Sequence, residues 1–187
     1  MFVITGGQVV SSSGATPADV LIEGEKIVAL VTPGSDVSVR AQETAERVVD
    51  ASGCYVLPGG VDAHVHLQLE MTPEATSSDT FATGTAAAAW GGTTTVVDFA
   101  GQLSGMHVRD AVEARHSEAD GQCAIDYAFH LAMGQVDDES LREMSTVMDE
   151  GITSFKYFMA YPGAWYSDDG QLISAMYRAA DLGAMVM

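Results

Sequence analysis

Leu57-Pro58-Gly59-Gly60-Val61-Asp62-Ala63-His64-Val65-His66-Leu67 is where the chain changes character. Upstream, short β-rich runs such as Phe2-Val3-Ile4, Gln8-Val9-Val10, Asp19-Val20-Leu21-Ile22 and Lys26 to Val31 are cut by Gly6-Gly7, Ser11 to Gly14, Glu23-Gly24 and Thr32-Pro33-Gly34. Such punctuation predicts a small antiparallel β unit over residues 1–56. Downstream, strand candidates recur about every 30 residues, centred near His64, Val96, Tyr127, Phe155 and Met185, with helical patterns between them. This is the cadence of repeated βα units, so residues 57–187 read as α/β.

The helix ends agree with that cadence. Ser78-Asp79 can cap a run from Thr80 to Trp90 that closes on Gly91-Gly92. Asp137-Asp138-Glu139 opens a helix through Met148 before Gly151, and Asp168-Asp169 opens another that reaches Leu182 before Gly183. A fourth helix is expected over Val108 to Glu118. Acids at helix starts and glycines at their ends suit the macrodipole and the left-handed cap. Two architectures fit: an open doubly wound sheet, complete with five strands, or a β/α barrel, which needs eight strands and about 250 residues. From Leu57 onward there are about 130 residues. On the barrel reading this is the first half only, with the last strand candidate, Ala184 to Met187, running to the end of the sequence.

The 187 residues include 8 Lys+Arg against 26 Asp+Glu, a formal net charge of -18. A surface of that sign repels phosphate backbones and anionic headgroups, so neither nucleic acid nor membrane is expected as a partner. No basic leader precedes Met1-Phe2-Val3-Ile4 and no apolar run reaches the length of a membrane span, which reads as cytoplasmic. Cys54 and Cys123 lie far apart without CxxC spacing, so reduced, mostly buried thiols are expected.

His64 and His66 carry the first chemical signal. Side chains two apart on a strand share a face, so this pair can bring two imidazoles to one metal while Val65 packs on the other side. Alone, an HxH pair is a weak signal. The second signal is Lys156, one of two lysines in the chain, set in the apolar run Ile152-Thr153-Ser154-Phe155-Lys156-Tyr157-Phe158-Met159. An ammonium there must snorkel, find a partner or lose its charge. A neutral amine can add carbon dioxide to become a carbamate, whose two oxygens can bridge divalent metals; a strand-end lysine reaching solvent is the plainer alternative.

Four ordered blocks together are far more specific. Pro58 to His66, Gly91-Gly92-Thr93-Thr94-Thr95-Val96-Val97-Asp98-Phe99, Asp126-Tyr127-Ala128-Phe129-His130 and Ser154-Phe155-Lys156-Tyr157-Phe158-Met159-Ala160-Tyr161 resemble the dihydropyrimidinase/hydantoinase branch of the cyclic amidohydrolases. The likeness runs along essentially the whole chain. It implies a metal-dependent, TIM-like β/α barrel preceded by part of a small β-sandwich. It implies two divalent metal ions, zinc being the ion expected, held by His64, His66 and a carboxylated Lys156. Tyr161 then takes the catalytic role of stabilising the tetrahedral oxyanion and contacts substrate. Hydrolytic opening of a cyclic amide, a dihydropyrimidine or a hydantoin, by a metal-bridged hydroxide gives an N-carbamoyl amino acid.

The segment Gln68-Leu69-Glu70-Met71 and the side chains Phe158 and Trp165 fall where that family shapes its pocket, which makes Leu69, Phe158 and Trp165 substrate-binding candidates; ordinary packing is the alternative for each. Gln68 stands where dihydroorotases carry an arginine, which favours the dihydropyrimidine or hydantoin class. The resemblance also implies a homo-oligomer, commonly a tetramer. It places two further histidine ligands and an aspartate base on later strands. None lies in these residues, so the chain alone is expected to be inactive. Among the other polar residues, His130 is expected to be a hydrogen-bonded structural histidine, and His107 and His116 to lie exposed in or beside a helix. Asp98 should end its strand without binding metal, Asp62 should support the turn, and Met144, Met148 and Met176 should fill the core. Two other functions stay open: a non-catalytic scaffold that keeps the fold without the metals, and a self-contained five-stranded α/β binding module in which the HxH is incidental.

Overall fold

The computed structural model describes residues 1–72 and 74–187, with the backbone alone at 71 and 72. It divides into two compact units, Met1–Pro58 and Gly59–Met187. Among the described residues, no helix is long and apolar enough to cross a membrane.

The first unit contains β1 (Phe2–Thr5), β2 (Gln8–Ser11), β3 (Gly14–Pro17), β4 (Asp19–Glu23), β5 (Lys26–Val31), α1 (Asp36–Thr44), β6 (Arg47–Asp50) and β7 (Tyr55–Val56). These form a four-stranded sheet, β5-β4-β1-β6, and a three-stranded sheet, β3-β2-β7. The antiparallel expectation holds for β1 with β4, β4 with β5 and β2 with β3, and is corrected where β1 pairs β6 and β2 pairs β7 in parallel. The reason is α1, which the glycine and proline punctuation did not reveal and which carries the chain back between β5 and β6. Ser35 caps it by accepting from the Ser38 N–H (3.2 Å), and Ser38 and Ala41 face inward.

The second unit contains β8 (Gly60–Asp62), β9 (Glu70–Thr72), β10 (Ala75–Thr76), α2 (Phe81–Trp90), β11 (Thr93–Gln102), α3 (Val108–Ala119), β12 (Asp126–Met133), α4 (Asp138–Met148), β13 (Ser154–Lys156), α5 (Asp169–Leu182) and β14 (Met185–Val186). Its main sheet, β14-β13-β12-β11-β8, is parallel at every pairing and curls as a half-barrel. One helix between each pair of neighbouring strands from β8 to β14 explains the parallel order, since a parallel pair requires a crossover.

Alternation along β11 separates two environments. Val96, Asp98, Ala100 and Gln102 are all buried on the helix-covered side, while Phe99 and Gly101 point to the opposite face. Register carries this across the sheet: Phe99 opposes His130, Gly101 opposes Ala132, and Ala132 opposes Lys156. The helices dock through spaced stripes, as in α3, where Val108, Ala111, Val112, Arg115 and Ala119 are buried. Full burial of a side chain such as Val108 or Val112 stabilises by about 1.5–3 kcal/mol. Reciprocal side-chain and backbone caps start α4 at Asp137/Ser140 and α5 at Asp168/Gln171, and Gly183 ends α5 in the left-handed conformation at φ 69°.

Several expectations need correction. The strand near His64 stops at Asp62, so the two histidines lie beyond it. The cap of α2 is Thr80, which exchanges bonds with Thr83, rather than Ser78 or Asp79. Met176 is exposed, whereas Met144 is fully buried and Met148 packs against the core. Cys54 is exposed and Cys123 half-buried. His116 is half-buried, its ring against Tyr127 and Phe129 at 5.7 and 4.9 Å.

Candidate metal centre and cavity

The site is built at the carboxyl edge of the curled sheet. Beyond β8 the chain continues through residues 63–66 without strand pairing. Asp62 Oδ1 accepts the His64 N–H (3.2 Å), and the Val65 N–H donates to the Val97 carbonyl (3.1 Å), which keeps the segment tied to β11. Val65 packs into the core, leaving the two imidazoles on its other side. Their ring centres are 5.1 Å apart, edge to face. The HxH pair thus comes together just past the end of β8, with Val65 and the two imidazoles still on opposite sides.

Phe99 is the meeting point. His64 lies 4.6 Å from its ring centre, His66 4.8 Å and His130 5.0 Å, and Lys156 Nζ sits 4.3 Å above it. Lys156, the last residue of β13, is half-buried and also lies 5.1 Å from the Phe158 ring centre. Among the described residues no carboxylate forms an ion pair with its ammonium, and the aromatic faces supply the cation's company instead. Partial desolvation pushes the His66 imidazole below its ordinary pKa, and the Lys156 charge adds to the effect. A neutral imidazole is the form that binds metal.

His130 is tied into structure at both ring nitrogens. Nε2 donates to the Ala63 carbonyl (2.9 Å) and Nδ1 accepts from the Ser154 hydroxyl. It thereby buttresses the turn that carries His64, as a structural histidine would.

A cavity of about 1090 Å³ opens over this edge, lined by His66, Phe99, Lys156, Phe158, Tyr161 and Trp165, among others including Gln68 and Leu69. Met71 carries a side chain outside the described residues. Phe158 packs against Tyr161 (5.9 Å) and Trp165 (5.4 Å). Trp165 needs close backbone: a Cβ on Gly101 or Gly134 would come within 3.2 Å of its indole. Among the described residues, the two non-glycine residues with positive φ, Gln68 at 51° and Tyr161 at 63°, both line this cavity. The Tyr161 carbonyl accepts from the N–H groups of Ala164, Trp165 and Tyr166, so a closed turn holds its backbone in a conformation costly for a side chain of that size.

These side chains suit a metal. Two imidazoles and an amine lie around one ring, with His66 and Lys156 on the cavity wall, the donor types that a divalent ion and a carbamate require. A separate group, His107 with Glu139 and Glu143, lies beyond β11 on the more exposed flank of α3 and α4, and its ligand atoms fall within 4.8 Å of one another. Glu143 bonds the His107 ring (2.7 Å) and pushes its pKa up, with Glu139 adding to the shift. Nothing in the spacing of His107 along the chain pointed to this group. Phe99 and Arg115 were likewise not singled out, although Arg115 falls in register with the buried stripe of α3.

The fold and these donors can now be set beside known proteins. The model of the family described as the amidohydrolase family matches residues 55–187. The chain belongs to the amidohydrolase family. Among amidohydrolase relatives, it is 51% identical over 185 residues to D-hydantoinase of Streptomyces coelicolor, covering 99% of this chain and 39% of that protein. The crystal structure of D-hydantoinase from Bacillus sp. AR9 superimposes with a TM-score of 0.91 at 41% identity, covering 100% of this chain and 39% of the other. Dihydropyrimidinase from Brevibacillus agri NCHU1002 gives 0.89 at 43% identity, covering 98% and 38%. The chain therefore spans about two fifths of the length of these amidohydrolases, and the matched portion is their N-terminal part.

Proposed function

We propose that this chain supplies part of the metal-binding and substrate-binding site of a cyclic amide hydrolase that opens hydantoins or dihydropyrimidines to N-carbamoyl amino acids. The observation that carries the reading is the convergence of His64, His66 and Lys156 on Phe99, at the wall of a cavity that Tyr161, Phe158 and Trp165 share. The names of its relatives, D-hydantoinase and dihydropyrimidinase, support the substrate class.

His64 and His66 would hold a divalent ion, with zinc the natural fit to imidazole donors, and Lys156 as a carbamate would add anionic oxygen donors beside them. When bound, such a pair supplies Lewis acidity and a water acidic enough to act as a nucleophile near neutral pH. Carboxylation joins Nζ of the unprotonated amine to the carbon of carbon dioxide and releases one proton. It turns a cation into an anion at a half-buried amine on the cavity wall. The Tyr161 hydroxyl donates to the oxygen that gains charge as the ring amide becomes tetrahedral. Leu69, Phe158 and Trp165 form apolar walls for the ring substituent and orient the planar amide.

The test uses a longer chain that carries these residues together with the later strands the resemblance implies, loaded with zinc and given a hydantoin substrate, with ring opening followed as N-carbamoyl product. Tyr161→Phe is expected to lower kcat by about 10²–10³-fold, the loss typical of one oxyanion donor. An unchanged kcat removes Tyr161 from that role. Intact-mass detection of an added carbon dioxide that disappears in Lys156→Ala checks the carbamate. Assayed as these 187 residues alone, ring opening is expected to be absent, because the resemblance puts further ligands and the base outside them; turnover by the isolated chain overturns that part.

A further inference from the structure

Leu67, the residue after His66, is held at both ends of its backbone by one buried ion pair. Its N–H donates to Asp98 Oδ2 (2.7 Å), and its carbonyl accepts from Arg115 Nη2. The same Nη2 donates to Asp98 Oδ1 (2.8 Å), which closes a ring of hydrogen bonds through both side chains and one residue's backbone. Asp98 is fully buried and the Arg115 side chain is 9% exposed. The guanidinium lies 4.6 Å from the ring centre of Phe81, and its Nη1 donates to Glu118. Arg115 Nε is buried with no hydrogen-bond partner among the described residues.

A buried charge pair with one unsatisfied donor is poor value as a source of stability, since well-packed apolar residues serve as well or better. Its geometry serves another purpose. Residues 63–66 lie outside a continuous strand ladder, held in their middle by the Val65 N–H bond to Val97 and the His130 bond to the Ala63 carbonyl. Their ends are set by the bond to Asp62 before and this ring after. Leu67 is buried so tightly against α2 that a Cβ on Gly84 would lie 2.4 Å from Leu67 Cδ2. Gln68 then turns into positive φ and donates its N–H to the Asp79 carbonyl (2.7 Å). The guanidinium serves the carboxylate and the carbonyl from Nη2 and reaches Glu118 from Nη1, a planar spread over two nitrogens that the single nitrogen of lysine lacks.

We propose that Asp98 and Arg115 are positioning residues, a clamp beneath the sheet that sets the backbone at Leu67 and through it the direction of the His66 imidazole. The clamp itself is a statement about this chain's backbone. Its consequence for ion retention rests on the reading of His66 as a ligand.

Arg115→Lys keeps a cation for Asp98 and removes the fork. In metal-free protein, hydrogen exchange on peptides spanning residues 64–69, read by mass spectrometry, is expected to speed up at Leu67 by about tenfold or more. In zinc-loaded protein, release to a chelator is expected to be about 10–100-fold faster, the usual effect of disturbing a group that supports a ligand. Glu118→Gln, at a half-exposed side chain that folding tolerates, is expected to move both in the same direction by a smaller factor. Native exchange at Leu67 in a folded Arg115→Lys protein overturns the clamp; if that variant does not fold, native exchange in Glu118→Gln overturns it. Zinc release that is identical in wild type and His66→Ala sinks the ligand reading instead, and leaves the clamp to be judged by exchange alone.

Discussion

Two histidine groups in the second unit have opposite characters. His64 and His66 stand over an aromatic ring beside a lysine, and His66 is pushed toward the neutral form by partial desolvation and the neighbouring cation. His107 is exposed between carboxylates and is pushed toward the charged form by the Glu143 hydrogen bond and the acidic charges around it. Both follow the carboxyl end of a strand, so position in the fold does not separate them. What separates them is the company each keeps: a ring and a cation make a group ready to give electrons to a metal, whereas carboxylates make one that holds a proton.

The largest expected effect comes from removing the ring that makes the first environment. Phe99→Ala takes away a side chain 7% exposed and the surface against which His64, His66, His130 and Lys156 are arranged. The expected loss is about 3–5 kcal/mol of folding stability, measured by urea unfolding, as for other buried phenylalanines. A loss below about 1 kcal/mol would mean that the four groups do not depend on the ring. Zinc binding by calorimetry then sharpens the contrast. His66→Ala is expected to weaken it by more than about 100-fold, beyond the 10–100-fold of a supporting residue, whereas His107→Ala leaves that site unchanged. The reverse pattern would transfer the metal reading to the exposed cluster.

Legibility in the sequence followed the same division between local and distant causes. The parallel sheet could be read because each helix announces its start locally, as Asp137 and Asp168 do, and because the period of about 30 residues repeats. Helix α1 escaped because only Ser38 and Ala41 face inward, too little apolar pattern to stand out after Thr32-Pro33-Gly34. His64 and His66 share a side opposite Val65, as alternation predicts, although β8 itself ends at Asp62; what the sequence does not show is the support from Asp62 and from residues 98 and 115 around them. Such a clamp joins partners 31 and 48 residues away from Leu67, which no local pattern encodes. One signal was available: an arginine in register with Val108, Ala111 and Val112, and an aspartate in an apolar strand, each needing the other. Met176 failed as a core residue for a related reason, since α5 buries Ala175 and Ala179 and turns its next neighbour outward.

The smallest expected effect concerns His107, and its sign can be worked out. His107 precedes α3 and makes no side-chain cap; Glu143 of α4 does so in its place, accepting the Val108 N–H at 2.8 Å while bonding the His107 ring. The raised pKa means that the Glu143 hydrogen bond and charge, with Glu139 and Asp110, outweigh the desolvation that pulls the other way. Because the folded value lies above the ordinary 6.5, the contribution to stability is fully present below about pH 6.5 and is lost as pH rises through the raised folded value. By NMR, His107 is expected to titrate above 6.5, and Glu143→Gln to bring the midpoint back toward it. Added salt should shrink the shift, since the pair is exposed. A midpoint below 6.5 in wild-type protein would show desolvation winning at both histidine groups, and the contrast between them would then rest on geometry alone.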